Sequence, residues 1–184
     1  MKIIETNIEG LVIIEPKVFG DARGYFMETF HKNVFNSNVT ETEFIQDNES
    51  KSSRGVLRGL HFQLPPYQQA KLVRVIEGEV LDVAVDLRKN SKTYGQHHSI
   101  LLSGENKKQF FVPRGFAHGF AVLSETAIFS YKVDNLYAPT HDSGILWNDE
   151  TLNIDWNIDI ALIQLSEKDK NLSSFKDFSS PFQK

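Results

Sequence analysis

The segment Lys71 to Leu87, KLVRVIEGEVLDVAVDL, decides the fold. Two alternating runs rich in β-branched residues flank Glu77-Gly78, and such runs read as strands rather than helical turns. Glycine at the junction supplies the positive φ of a tight turn. A hairpin centred there pairs Val75 with Val80, Val73 with Asp82 and Lys71 with Ala84. Lys71 and Asp82 then become diagonal neighbours on one face, close enough for the lysine to reach the carboxylate. A charged pair turned toward an apolar interior marks a site.

The segment His118 to Val133, HGFAVLSETAIFSYKV, reads the same way about Ser124-Glu125. It pairs Val122 with Ala127, Phe120 with Phe129 and His118 with Tyr131. The histidine and tyrosine are either site groups or a polar pair capping a phenylalanine-lined core. Outward from these two segments, further strands are expected at Leu11 to Glu15, Gly24 to Phe30, Phe44 to Asn48, Gly55 to Gln63, Gln96 to Leu102 and Gln109 to Val112. Gly, Pro, Asn and Asp clusters separate them, and helix is confined to short pieces near His31 to Phe35 and after Ser166. The pattern predicts an all-β jelly roll or closed sandwich with a few short peripheral helices. No linker or repeat divides residues 1–184, so one domain is expected.

Composition narrows the function. The chain has 40% hydrophobic residues and no cysteine, enough to build a core without disulfides, and thiol catalysis and cysteine-ligated zinc are excluded. Its net charge of -4 lacks the basic excess of a nucleic-acid binder. Glu5, Glu9 and Glu15 interrupt the start where a signal peptide needs an apolar stretch, and no later run is long enough to span a bilayer. The expectation is a cytoplasmic protein with no membrane or nucleic-acid partner.

The run Arg54-Gly55-Val56-Leu57-Arg58-Gly59-Leu60-His61-Phe62-Gln63 places two arginines and a histidine in an otherwise apolar strand. Buried unpaired charge costs several kcal/mol, so an interior lined by these groups would receive something polar and anionic; the alternative is a solvated face. Strict alternation sends Arg58 and His61 to opposite faces. A bulge at Gly59 would turn both into one cavity. A metal is disfavoured by spacing: the residue two on from His61 is Gln63, not histidine, and the adjacent His97 and His98 point to opposite faces. His61 and His118 with one carboxylate remain the only ligand set in view. His31, His97, His98 and His141 join no constellation and are expected at the surface. Glu167-Lys168-Asp169 after Ser166 reads as a capped helix start, and Asp21-Ala22-Arg23-Gly24 as a turn.

Taken together, these fragments resemble the dTDP-4-dehydrorhamnose 3,5-epimerase family of the cupin superfamily, whose metal-binding histidine pair is lost. The resemblance rests on Asp21-Ala22-Arg23-Gly24 with Phe26 and Glu28, Gln46-Asp47-Asn48, Leu57 to Gln63, Lys71, and Val112-Pro113-Arg114-Gly115-Phe116-Ala117-His118-Gly119-Phe120. It continues through Tyr131-Lys132, Ala138 to Asp142, Ile145 to Asp149 and Ser166 to Asp169, nearly the whole chain.

The resemblance implies a cupin barrel that converts dTDP-4-dehydro-6-deoxy-D-glucose to dTDP-4-dehydro-L-rhamnose, a rhamnose precursor for polysaccharide biosynthesis, without metal or other cofactor. It assigns His61 as base, Asp169 as its orienting carboxylate, Tyr131 as acid and Lys71 as enolate stabiliser. Arg58 and His118 would hold the diphosphate, and Arg23, Glu28, Gln46, Asn48, Asp142 and Lys168 would complete substrate binding. The chemistry is sound, because a C4 ketone acidifies the protons on C3 and C5 and an imidazole is suited to removing them near neutrality. The resemblance also implies a homodimer through N-terminal strand exchange, for which the alternation Leu11 to Glu15 is suited, as it is for a strand within one subunit.

One departure stands out: Leu136 occupies a position usually aromatic, in the region that shapes the sugar pocket. A 3- or 5-only epimerase or a keto-sugar isomerase therefore remains an alternative, as does a non-catalytic carbohydrate-binding module.

Overall fold

Thirteen strands, most of them rich in β-branched and aromatic residues, make up the computed structural model, which describes residues 1–184. In chain order they are β1 (Lys2–Glu5), β2 (Val12–Glu15), β3 (Val18–Asp21), β4 (Gly24–Met27), β5 (Gln46–Ser53), β6 (Leu57–Gln63), β7 (Lys71–Glu77), β8 (Glu79–Asp86), β9 (His97–Ser103), β10 (Gln109–Val112), β11 (Phe116–Val122), β12 (Thr126–Val133) and β13 (Asp142–Gly144). Two short helices, α1 (Lys32–Asn38) and α2 (Glu167–Lys170), lie outside them. A six-stranded sheet runs β1-β2-β10-β7-β12-β5 and a five-stranded sheet runs β13-β6-β11-β8-β9, all antiparallel. This is the jelly roll expected from the sequence.

The expected hairpins are not hairpins. At Glu77-Gly78 the chain leaves the six-stranded sheet and enters the five-stranded one; between β11 and β12 it crosses back. Val75 therefore pairs with Phe129 and Val80 with Val122, while Val73 pairs with Tyr131 and Asp82 with Phe120. His118 pairs with Ala84 and His61 rather than Tyr131. Period-two alternation is identical for a hairpin and for an arch between sheets, so the pattern could not separate them. The groups still share one interior: Phe120 and Phe129 stack across it, with ring centroids 4.1 Å apart and planes 14° from parallel.

The two arches are fastened together. Gly78 has φ +80°, and a Cβ there would sit 2.0 Å from the Thr126 carbonyl oxygen and 2.5 Å from Ser124 Oγ. That hydroxyl accepts the Glu79 N–H at 2.8 Å and donates to the Thr126 carbonyl at 2.7 Å.

Three apolar clusters hold the layers. Val73, Val75, Phe110, Phe120, Phe129 and their neighbours fill the space between the sheets. Leu152, Trp156 and Phe182 of the C-terminal segment cover the outside of the five-stranded sheet, so β8 and β11 are buried on both faces. Phe35 of α1 packs on Phe111 and Leu72 outside the six-stranded sheet. Each buried phenylalanine contributes about 2–3 kcal/mol.

Other boundaries differ from expectation. The strand expected over Gly24 to Phe30 stops at Met27, and that expected over Phe44 to Asn48 begins at Gln46 and continues to Ser53. β1, β3 and β13 had not been anticipated; β13, Asp-Ser-Gly, carries no β signal of its own and is held by pairing with β6. β3 and β4 form a separate ribbon joined at the anticipated Asp21–Gly24 turn. β2, the strand considered for exchange, is paired on both sides within its own chain, by β1 and β10.

Substituting Gly78→Ala should lower stability by more than about 2 kcal/mol, because both the backbone angle and the Thr126 contact oppose a side chain. Urea unfolding of the variant checks this; an unchanged midpoint would mean that the corner yields.

Candidate active site

A cavity of about 580 Å3 opens between the sheets. The five-stranded sheet supplies Arg58 and His61 from β6 and His118 and Phe120 from β11. The six-stranded sheet supplies Lys71 from β7, Tyr131 and Phe129 from β12, and Asn48 and Ser50 from β5. Asp169 enters from α2. The site is thus the seam of the sandwich.

A bulge turns Arg58 and His61 into this cavity together. His61 lies opposite His118 and Arg58 opposite Phe120, so three residues of advance on β6 meet two on β11. The irregularity falls on Gly59, with φ +135°, where a Cβ would lie 2.5 Å from the Gly119 Cα. Only glycine permits that approach.

Two histidine–carboxylate pairs face the cavity. His61 Nε2 bonds Asp169 Oδ1; the imidazole is 29% exposed and the carboxylate 4%. Ser166 donates to Asp169 Oδ2 at 2.8 Å and its Oγ accepts the Asp169 N–H at 3.1 Å, so the N-cap of α2 also locks the carboxylate. Burial alone would raise the Asp169 pKa; the hydrogen bonds from His61 and Ser166 and the charges of His61 and Lys168 outweigh it and hold the group below the usual carboxylate range. The second pair is His118 Nε2 with both oxygens of Asp82, at 2.9 and 3.0 Å.

The cations and the phenol differ in how they are held. Arg58 donates to Ser52 Oγ at 3.1 and 3.2 Å. Lys71 has no carboxylate within ion-pairing distance. Burial pulls its pKa from 10.5 to about 8, against the charges of Asp82 and Asp142 and with that of Lys168. Burial pushes the Tyr131 phenol up, partly offset by the Arg58 charge, so it is a neutral O–H donor near pH 7.

Of the residues singled out from the sequence, His61, Tyr131, Asp169, Lys71, Arg58, His118 and Asn48 line the cavity. Gln46 stands beside it, donating to Asn48 Oδ1 at 2.8 Å, and Asp142 pairs with Lys168 near enough for both charges to act on Lys71. Arg23 and Glu28 are elsewhere: Arg23 is at the tip of the β3–β4 ribbon, 2.6 Å from Asp21, and Glu28 lines a separate 300 Å3 apolar cavity under it. Lys71 and Asp82 are not hairpin neighbours but face one interior from opposing sheets. His31 is exposed and His97, His98 and His141 are half-buried at the surface, where burial lowers the pKa of His97 and His98. Asp82 as the partner of His118, Ser52 as the anchor of Arg58, and Ser50, Gln164 and Leu165 as cavity walls were missed. The alternation Gln46, Asn48, Ser50, Ser52 along β5 carried the signal for two of them. His61 and His118 are adjacent across β6 and β11, yet each is taken by its own carboxylate, and no group of three metal-type donors assembles.

A jelly roll holding a histidine–aspartate dyad, a neutral tyrosine and an unpaired lysine around one cavity defines an enzyme of the acid–base isomerase class. The family model described as dTDP-4-dehydrorhamnose 3,5-epimerase matches residues 5–177. A dTDP-4-dehydrorhamnose 3,5-epimerase from Methanothermobacter thermautotrophicus is 56% identical over 172 residues, covering 92% of each chain. The crystal structure of the enzyme of that name from Elizabethkingia anophelis superposes with a TM-score of 0.93 at 54% identity, covering 96% of this chain and 97% of the other. That of dTDP-6-deoxy-D-glucose-3,5-epimerase from Legionella pneumophila, in complex with dTDP-4-keto-L-rhamnose, gives 0.93 at 47% identity, covering 97% and 94%. The chain belongs to the dTDP-4-dehydrorhamnose 3,5-epimerase family.

Because the folded pKa of Lys71 is depressed, the native state pays for its charge at neutral pH and is relieved as pH rises from about 8 toward 10.5. Lys71→Met should therefore melt higher than the parent at pH 7, and the gap should close across that window. Melting curves at both ends check the sign; a gap that widens with pH contradicts it.

Proposed function

We propose that this protein epimerises C3 and C5 of dTDP-4-dehydro-6-deoxy-D-glucose to give dTDP-4-dehydro-L-rhamnose, using no metal or cofactor. The observation that carries the reading is that His61 on β6 and Tyr131 on β12 line one cavity from opposing sheets, as a base and an acid flanking a bound ring would have to. Inversion needs proton removal on one face of the ring and delivery on the other.

His61 Nδ1, the ring nitrogen left free by the Nε2–Asp169 bond, takes the proton from carbon, and the bonding electrons move into the C4 carbonyl to form an enolate. Asp169 fixes the imidazole and stabilises its cation. Lys71, charged below about pH 8 and lacking an ion-pair partner, supplies the counter-charge to the enolate oxygen. Tyr131 protonates the carbon from the far side; solvent then restores both groups before the second carbon reacts. Arg58 and His118 meet the diphosphate with charge-assisted hydrogen bonds, and Gln46, Asn48, Asp142 and Lys168 bind the remainder. No helix is long and apolar enough to cross a membrane, and a cytoplasmic nucleotide sugar suits the reading.

The working unit in this reading is a homodimer with N-terminal strand exchange. The exchanged strands are β3 and β4, which join neither sheet and expose Phe19, Tyr25 and Phe26 by 53%, 56% and 68%. Seated on a second copy, that ribbon would cover apolar surface and carry Arg23 and Glu28 to the partner's substrate. Phe19→Ser with Phe26→Ser should shift sedimentation from dimer to monomer and weaken substrate binding about tenfold or more; a dimer of parental affinity would refute the exchange.

Incubation with the 4-dehydro sugar in heavy water tests the chemistry. Exchange of both the C3 and C5 protons is expected, falling about 100- to 10,000-fold in His61→Asn. Tyr131→Phe should retain exchange while losing inversion, because the base can return solvent deuterium to the face it attacked. Exchange at one carbon alone would favour the single-site relative, and no exchange despite dTDP binding would favour a binding module.

A further inference from the structure

Gln63 lies two residues beyond His61 on β6, where a His-x-His metal pair would place its second imidazole. Its side chain is 5% exposed and is committed to backbone. Nε2 donates to the carbonyl oxygens of Tyr67 at 2.7 Å and Leu136 at 3.0 Å, and Oε1 accepts the Ala138 N–H at 2.6 Å. One amide therefore ties two separate loops to the strand that carries His61. Neighbouring bonds reinforce the tie: Gln69 Nε2 to the Asn135 carbonyl at 2.8 Å, and Asn135 Nδ2 to the Pro66 carbonyl at 3.1 Å.

The second loop leads to the rim of the cavity. It follows Val133, which pairs with Lys71, and ends at β13, where Gly144 pairs with His61. Tyr137 within it is 57% exposed but anchored, its hydroxyl donating to Asp142 Oδ2 at 2.9 Å. Asp142 in turn holds Lys168, next in sequence to Asp169, and its charge acts on Lys71. Leu136, beside Tyr137, is 60% exposed.

We propose that Gln63 is a positioning residue: its amide fixes the 134–138 loop, and with it Leu136 and Tyr137, at the rim of the cavity, setting how tightly the nucleotide sugar is held rather than how fast its protons move. A loop bonded in advance owes little ordering entropy on binding, whereas a released loop must pay it each time. Only a side chain with two N–H donors and an acceptor at this reach serves all three backbone groups. The proposal rests on the cavity being the substrate site as read above.

The test combines hydrogen exchange of residues 134–138, read by mass spectrometry, with steady-state kinetics of Gln63→Met and Gln63→Glu. Methionine keeps the volume and removes every bond; glutamate faces two carbonyl oxygens with no donor. Loop exchange should quicken and KM should rise, each about tenfold from the loss of two or three hydrogen bonds, with kcat within about threefold of the parent. In a Tyr137→Ala background the same change should add less than about threefold to KM, because the anchored group is already gone. Unchanged loop exchange, or a fall in kcat at constant KM, would overturn the assignment. Should both variants fail to fold, Gln63→Asn, which keeps the amide but cannot span both loops, carries the same measurements. If the parent turns over no sugar, the function read above fails, while loop exchange and dTDP affinity by calorimetry still decide the role of Gln63.

Discussion

The site depends on the chain crossing twice between sheets at one corner, where Ser124 Oγ bridges the Glu79 N–H and the Thr126 carbonyl beside Gly78. Those crossings put Lys71 and Tyr131 on one wall and Asp82 and His118 on the other. Had the segments closed as hairpins, Lys71 and Asp82 would share one sheet, and so would His118 and Tyr131, instead of facing each other across the seam. Stacking of Phe120 on Phe129 closes the floor of the same seam. The geometry that a two-faced proton transfer requires is therefore a property of topology before it is a property of any catalytic side chain.

Within that seam, charge is handled in two ways. Both carboxylates are buried, and each is matched to an imidazole, so the cost of desolvation is met by hydrogen bonds. Lys71 is left without an ion-pair partner and burial lowers its pKa, which suits the role proposed for it opposite developing negative charge. No buried polar side-chain atom in the molecule lacks a hydrogen-bond partner, which makes the lysine's lack of an ion-pair partner the more informative.

Most strands were legible because alternation of Val, Ile and Phe reports half-buried backbone whatever its partner. Gln109–Val112 matches its expected bounds to the residue, and the break expected at Glu77-Gly78 falls between two strands. Partner identity was not legible, since a hairpin and an arch print the same pattern. The bulge at Gly59 could be inferred, because two polar groups on one apolar strand and a glycine between them leave few other solutions. The pairing of His118 with Asp82 could not, because it arises from strand neighbours 36 residues apart. Residues on the β3–β4 ribbon were recognisable only by resemblance: within one chain they touch nothing that would reveal a purpose.

The notch formed by Gly59 and Gly119 has a consequence for what this scaffold can become. A Cβ at Gly59 would meet the Gly119 Cα at 2.5 Å, and one at Gly119 would meet the Arg58 carbonyl oxygen at 2.7 Å. Neither glycine can change alone, so the spacing from Arg58 to His61 is set by main chain and is closed to gradual adjustment. In the proposed reaction that spacing would act as a ruler, fixing how far from an anion held at Arg58 a carbon must lie to meet the imidazole. Adaptation to a longer or shorter sugar nucleotide must then come from the opposite wall and the rim, where side chains rather than backbone set the distances.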